Sequence, residues 1–194
     1  MSKYLKIGLD VYLFIAFSCL GGLPVLAGMR INPDSIPLAP PVNYSVGDNP
    51  HSVFCKDLDA DGNWDLITAN ADGNTVSILR NKGDGTFEPH VEYESGGKAY
   101  SVFSADLDGD GNYDLAVANW DSGSVSILKN NGNGTFQNRV DYPAGDNPTC
   151  VFASDLDGDG DHDLAISNEL VHTVSILRNN GDGTFQSPIA YGVG

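Results

Sequence analysis

A chain of 194 residues with 26 Asp+Glu against 10 Lys+Arg is long enough for one ordinary domain and carries a net charge of −16. A surface that acidic repels nucleic acid and anionic membranes, which excludes both as partners. Acidity can also mean disorder, but the regular apolar strands described below argue for a packed fold.

Lys3 and Lys6 precede an apolar run from Val11 to Ala27, interrupted by Gly21, Gly22 and Pro24. A basic start, an apolar middle and the small-residue end Val25-Leu26-Ala27 describe a signal peptide, residues 1–27, cleaved after Ala27. A retained anchor is the alternative, although the run is short and broken for a bilayer span. Ala16-Phe17-Ser18 before Cys19 fits a lipoprotein signal poorly. The expectation is a secreted protein whose mature chain holds 25 acidic against 8 basic residues, a net charge of −17. Residues 28–41 read as a Pro-rich linker. Cys55 and Cys150 then remain, at different offsets of non-adjacent repeats, and are expected to be two separate buried thiols.

From residue 42 the chain repeats every 49 residues without a gap: Asp57, Asp106 and Asp155 are in register, as are Tyr44, Tyr93, Tyr142 and Tyr191. The three units run at about 45–93, 94–142 and 143–191. Four short strands are predicted in each. The first, Ser52-Val53-Phe54, leads into an Asp-rich loop. The second, Leu66 to Ala69, is apolar or small on both faces, which suits a sheet between two others. The third is Thr75 to Arg80, and the fourth runs from Phe87 towards Tyr93. Between them Asn-x-Gly-Asp/Asn-Gly reads as a tight hairpin turn. Four antiparallel strands per 40–50 residues predict an all-β fold, a partial β-propeller of three four-stranded blades. Val42-Asn43-Tyr44 matches the end of a fourth strand.

The chemistry lies in the nine-residue loop Asp57-Leu58-Asp59-Ala60-Asp61-Gly62-Asn63-Trp64-Asp65 and its two copies. Carboxylates stand at positions 1, 3, 5 and 9: Asp57, Asp59, Asp61 and Asp65, then Asp106, Asp108, Asp110 and Asp114, then Asp155, Asp157, Asp159 and Asp163. Alternate carboxylates on a tightly wound loop can converge on one hard cation, and calcium takes six to eight oxygens. The main-chain carbonyl at position 7 is a further candidate ligand, at Asn63, Asn112 and Asp161. Thirteen of the 25 mature acidic residues crowd these loops, a costly density without a cation. Calcium is expected, about three ions per chain. Magnesium releases its waters reluctantly, and zinc prefers His or Cys. The loop is no EF-hand, because Thr68, Val117 and Ile166 stand where that motif needs Glu.

Loop, following strand and Asn-x-Gly-Asp/Asn-Gly-Thr-Phe together resemble the FG-GAP and VCBS-type repeats over residues 42–194. The resemblance implies a calcium-bearing β-propeller of the integrin-α kind, with side-chain ligands at loop positions 1, 3, 5 and 9 and a carbonyl ligand at 7. The Gly-Ala-Pro of the family name is replaced by Ala69-Asn70, Ala118-Asn119 and Ser167-Asn168. Such propellers commonly have about seven blades and need at least four, so three leave two solutions. Either the chain is a fragment of a longer protein, or it self-associates through exposed blade faces.

Trp64, Tyr113 and His162 share loop position 8 and are expected to shield their loops and pack on the next blade, with a ring of partner-binding groups as the alternative. His51, His90 and His172 are isolated and take no role. Glu88, Glu92, Glu94 and Glu169 have no equivalents in all three units, and neither G-x-S-x-G, P-loop nor H-E-x-x-H occurs, so no enzyme is expected. Asn43-Tyr44-Ser45 and Asn133-Gly134-Thr135 match the glycosylation acceptor pattern. The reading is a non-catalytic adhesion or ligand-binding module for an unknown protein or glycan. The alternatives are a structural piece of a larger secreted protein or enzyme, or a lectin stacking sugars on Trp64, Tyr113 and Trp120.

Overall fold

The computed structural model describes residues 40–193, so the signal-peptide reading and most of the linker lie outside the described residues. No helix occurs among them. Three antiparallel sheets follow one another, each in simple up-and-down order. Sheet 1 holds β1 (Pro50–Lys56), β2 (Asp65–Asn70), β3 (Thr75–Leu79) and β4 (Val91–Glu94). Sheet 2 holds β5 (Ala99–Ala105), β6 (Asp114–Asn119), β7 (Ser124–Leu128) and β8 (Val140–Pro143). Sheet 3 holds β9 (Pro148–Ser154), β10 (Asp163–Asn168), β11 (Thr173–Leu177) and β12 (Ile189–Gly192). The sheets are the blades of a partial β-propeller, and β1, β5 and β9 meet across the two interfaces.

The second strands are apolar on both faces because each face belongs to a different core. Strand side chains alternate between faces, so Leu115 packs towards sheet 1 while Ala116 packs towards sheet 3. One core joins Leu58, Ile67, Val76 and Ile78 of sheet 1 to Val102, Leu115, Val117 and Leu128 of sheet 2. The other joins Leu107, Ala116, Val125 and Ile127 of sheet 2 to Val151, Leu164, Ile166 and Leu177 of sheet 3. The same positions therefore change exposure along the chain. Val53, Val102 and Val151 are equivalent, and they are 62%, 5% and 2% exposed. Among the described residues no blade precedes sheet 1, so Val53 has nothing to pack on.

The same geometry corrects the cysteine expectation. Both thiols are free, but both are exposed. Cys55 stands where Ser104 and Ala153 are buried against the preceding sheet. Cys150 stands where Ser52 and Ser101 face the following sheet and accept hydrogen bonds from Val102 N and Val151 N. Each cysteine is on an outer face. The fourth strand is also corrected. Phe87 makes only an isolated bridge with Asn81, and β4 begins at Val91. Pro89 and Pro188 lack the amide that would continue the ladder. The middle unit has no proline there and takes the same course, and all three are held alike, by Glu88 N, Gln137 N and Gln186 N donating to the Arg80, Lys129 and Arg178 carbonyls.

At the end of the second strand Asn70, Asn119 and Asn168 replace the proline of the family motif with a buried polar bridge. Asn119 Nδ2 donates to Ser126 Oγ at 2.7 Å and Ser124 Oγ at 3.1 Å. Ser126 Oγ also accepts from Gly96 N and donates to Asp141, so the bridge ties the link from sheet 1 to β7 and β8. Asn119→Ala is expected to lower stability by about 1–3 kcal/mol, the cost of unpaired buried polar groups. The check is a fall in the urea midpoint at unchanged slope.

Candidate metal centre

Each Asp loop joins the first to the second strand of its sheet. Its shape comes from short-range hydrogen bonds to carboxylates. Asp57 Oδ2 accepts from Gly62 N, Asp106 Oδ2 from Gly111 N, and Asp155 Oδ2 from Gly160 N. Gly62 has φ +87°, a left-handed turn that closes the loop without a Cβ penalty. At position 4 Gly109 and Gly158 have φ +75° and +85°, and Ala60 adopts the same region at +60°.

The carboxylates converge. Oxygens of Asp57, Asp59 and Asp61 lie within 4.8 Å of one another, as do those of Asp106, Asp108 and Asp114, and of Asp155, Asp157 and Asp159. Asp65 and Asp163 fall outside these closest groups, as does Asp110 in the second loop. Position 9 has a structural duty in every loop. Asp65, Asp114 and Asp163 are 1% exposed, and their two oxygens accept from backbone amides of the same sheet. For Asp114 the donors are Leu107 N at 3.1 Å and Asn130 N at 2.8 Å. At position 7 the amides of Asn63, Asn112 and Asp161 donate to the carboxylates of Asp61, Asp110 and Asp159.

Whether these residues fit a cation is tested by their unpaired atoms. Asp57 Oδ1, Asp59 Oδ1 and Asp108 Oδ1 are buried without a hydrogen-bond partner. Buried carboxylate oxygens with no donor are costly, and an all-oxygen donor set is what a hard divalent cation takes. The residues fit calcium. Burial pushes the Asp114 carboxyl up to about 6, against the amide hydrogen bonds from Asn130 and Leu107 that lower it. Hydrogen bonds from Asn63 hold Asp61 below the ordinary carboxylate range.

Two residues that sequence reasoning passed over complete the loops. The cation ending the third strand reaches loop position 3: Arg80 to Asp59 at 3.9 Å, Lys129 to Asp108 at 2.9 Å, and Arg178 to Asp157 at 3.4 Å. The asparagine after it covers the Asp loop of the preceding sheet. Asn130 Nδ2 donates to the Leu58 carbonyl at 2.8 Å and Asn179 Nδ2 to the Leu107 carbonyl at 2.7 Å. In return, Arg80 donates to the Asn133 carbonyl and Lys129 to the Asp182 carbonyl, both at 2.7 Å. The hairpin turn of each later sheet thus lies over the Asp loop before it. The position of Gly134 favours glycine, since its φ is +69° and a Cβ there would sit 3.3 Å from Asp59 Cβ and 3.2 Å from the Arg80 guanidinium. The sequence signal was an invariant Arg/Lys-Asn pair after each third strand.

Position 8 packs on the preceding sheet, not the next. Lys56 Nζ stands 3.8 Å above the Tyr113 ring, and His162 Nδ1 lies 3.1 Å from the Asp106 carbonyl. Trp64, with no preceding sheet among the described residues, is 64% exposed. His51 is not isolated either: it stacks on Tyr100 at 4.2 Å, and Tyr100 on Trp120 at 5.5 Å.

The FG-GAP-like repeat family matches at residues 57–117, 106–166 and 155–194, each match beginning at the first aspartate of an Asp loop. The chain belongs to that family. No curated protein matches it. Among solved structures, the FG-GAP-like chain is similar to a lectin of Agrocybe aegerita that recognises non-reducing terminal N-acetylglucosamine, at 30% identity and a TM-score of 0.53. That match covers 73% of this chain and 38% of the lectin. BBS1N, solved in complex with ARL6DN, shares the fold at 16% identity and a TM-score of 0.51, covering 76% of this chain and 46% of that one. The chain therefore spans less than half the length of either.

A raised carboxyl pKa binds protons in the native state that the unfolded state has lost. In the metal-free protein Asp114 should therefore remove stability as pH rises from about 4 to about 6. Chelator-treated Asp114→Asn should lose that slope whatever its absolute stability, as read by urea unfolding across the same pH range.

Proposed function

We propose that the chain is a secreted, non-catalytic repeat module that binds about three calcium ions and presents its blade surfaces to a protein or glycan ligand in adhesion. The observation that carries it is the set of buried, donorless oxygens on Asp57, Asp59 and Asp108 inside carboxylate clusters that recur in register. Family membership supports the same reading. A bound calcium supplies positive charge that offsets carboxylate repulsion. The chain's own residues do the rest. Asp57, Asp59 and Asp61 offer oxygens from one turn, Asp65 anchors the loop to the sheet, and Arg80 holds Asp59.

Calorimetric titration is expected to give about three sites, and at free calcium 100-fold above the dissociation constant each independent site adds about 2.7 kcal/mol. A melting midpoint identical in calcium and in chelator would sink the reading. Asp61→Ala should delete one site and spare two, whereas Glu92→Ala, outside every loop, should delete none. Equal losses from both would make bulk charge the cause.

The lectin reading is favoured by one observation, the His51–Tyr100–Trp120 stack at the sheet ends opposite the metal loops, together with the likeness to the Agrocybe aegerita lectin. Aromatic faces at a surface stack on the apolar faces of sugars. A glycan array that includes terminal N-acetylglucosamine should show retention that Trp120→Ala abolishes. An array without signal removes the lectin reading and leaves a protein ligand.

A further inference from the structure

The two interfaces inside the chain are copies of one design, and among the described residues both of its halves remain unmatched at the outer faces. The half that looks towards later residues offers Phe54, Leu58 and Arg80 in sheet 1, and Phe103, Leu107 and Lys129 in sheet 2. Sheet 3 offers Phe152, Leu156 and Arg178 at the same positions. Leu58 and Leu107 are 3% and 2% exposed, whereas Leu156 is 49% exposed. Phe54 packs on Phe103 at 4.8 Å and Phe103 on Phe152 at 4.7 Å, where the ladder stops. Among the described residues the Leu156 carbonyl receives no asparagine amide, and no turn lies over Asp157.

Sheet 1 displays the complementary half. Asn81 is equivalent to Asn130 and Asn179, but among the described residues its Nδ2 donates only to the Trp64 carbonyl of its own sheet. A Cβ at Gly85 would meet nothing within 4 Å, where its equivalents Gly134 and Gly183 press on the preceding loop. Val53 and Cys55 are exposed where their equivalents are buried.

We infer that the outer face of sheet 3 is a docking site for the outer face of sheet 1 of a second copy of this chain, and that this contact completes the third Asp loop. The second copy's Asn81 then donates to the Leu156 carbonyl, its turn carbonyl at Asp84 accepts from Arg178, and its Gly85 lies over Asp157. These are the contacts already made twice within the chain. The arrangement is head-to-tail, so two chains close as six blades or the series continues. One group stands in the way. Tyr44 packs edge-on to Phe87 at 5.3 Å, as Tyr93 does to Phe136 and Tyr142 to Phe185. In the docked pair the first copy's Tyr191, the equivalent of Tyr44 and 55% exposed, packs on the second copy's Phe87 ring. Docking therefore displaces Tyr44.

Light scattering on the mature chain in calcium should show at least twice the monomer mass as concentration rises. Val53→Asp and Phe152→Asp alter opposite, solvent-exposed faces, so each should remain folded and monomeric alone. A one-to-one mixture of the two should restore a single pair, because each retains the face the other lacks. Tyr44→Ala should shift association to lower concentration. Alkylation of Cys55, read by peptide mass spectrometry, should slow on association and stay fast in Val53→Asp. A wild type that is monomeric at every soluble concentration overturns the inference, as does either variant still pairing with itself, or a mixture that stays monomeric. The completion of the third loop rests on the calcium reading. Its signature is a calcium site whose affinity rises with protein concentration in wild type and not in Val53→Asp. If calcium fails to bind while pairing occurs, the calcium reading fails and the docking stands. Three sites independent of protein concentration overturn the completion.

Discussion

A single hydrogen bond across each blade interface sets the terms for the rest of the structure: the asparagine of a hairpin turn donates to the carbonyl at position 2 of the preceding Asp loop. That carbonyl sits beside a buried leucine, where an unpaired backbone oxygen is costly. The bond brings the turn down over the loop, and the turn's carbonyl then takes the lysine or arginine that neutralises loop position 3. Acidic loop, cation, turn and apolar core are thus one cooperative assembly spanning two blades. No blade finishes its own loop. Stability in such an array is carried by nearest-neighbour interfaces rather than by isolated units.

The two ends of the blades have different chemistry as a result. At one end lie the Asp loops, with carboxylate oxygens that nothing among the described residues satisfies. At the other lie the Asn–Ser bridges, internally paired for the most part, and a stack of aromatic rings. The first end gathers carboxylates and the second gathers aromatic rings. The strands between them hold the two chemistries a fixed distance apart.

Much of this was legible in the sequence. The repeat period placed the first three strands of each four-stranded blade, and the two-faced apolarity of Leu115 to Ala118 required sheets on both sides. The Asp spacing located the clusters, because alternation on a tight loop turns carboxylates inward. What escaped was whatever depends on which neighbour a face meets. Val53 and Val102 look alike in sequence, yet one is exposed and the other buried. Cys55 was expected to be buried for the same reason. Nothing in the pattern told which way position 8 leans. The Asn130-to-Leu58 bond joins residues 72 apart in the chain, beyond the reach of any local pattern. Phe87 looked like strand because it is aromatic and follows a turn, but the ladder lapses between it and Val91.

The contacts that set the blade interfaces join residues whose counterparts recur 49 positions later: Phe54 with Phe103 and Phe103 with Phe152, Asn130 with Leu58 and Asn179 with Leu107. The partners are interchangeable in kind. A gene crossover that duplicated or removed one whole unit would therefore leave these recurring contacts with their proper mates. Such a chain can change length in steps of one blade without passing through a misfolded intermediate. Point changes face a stricter filter, since a residue at an interface must suit its own blade and the one beside it.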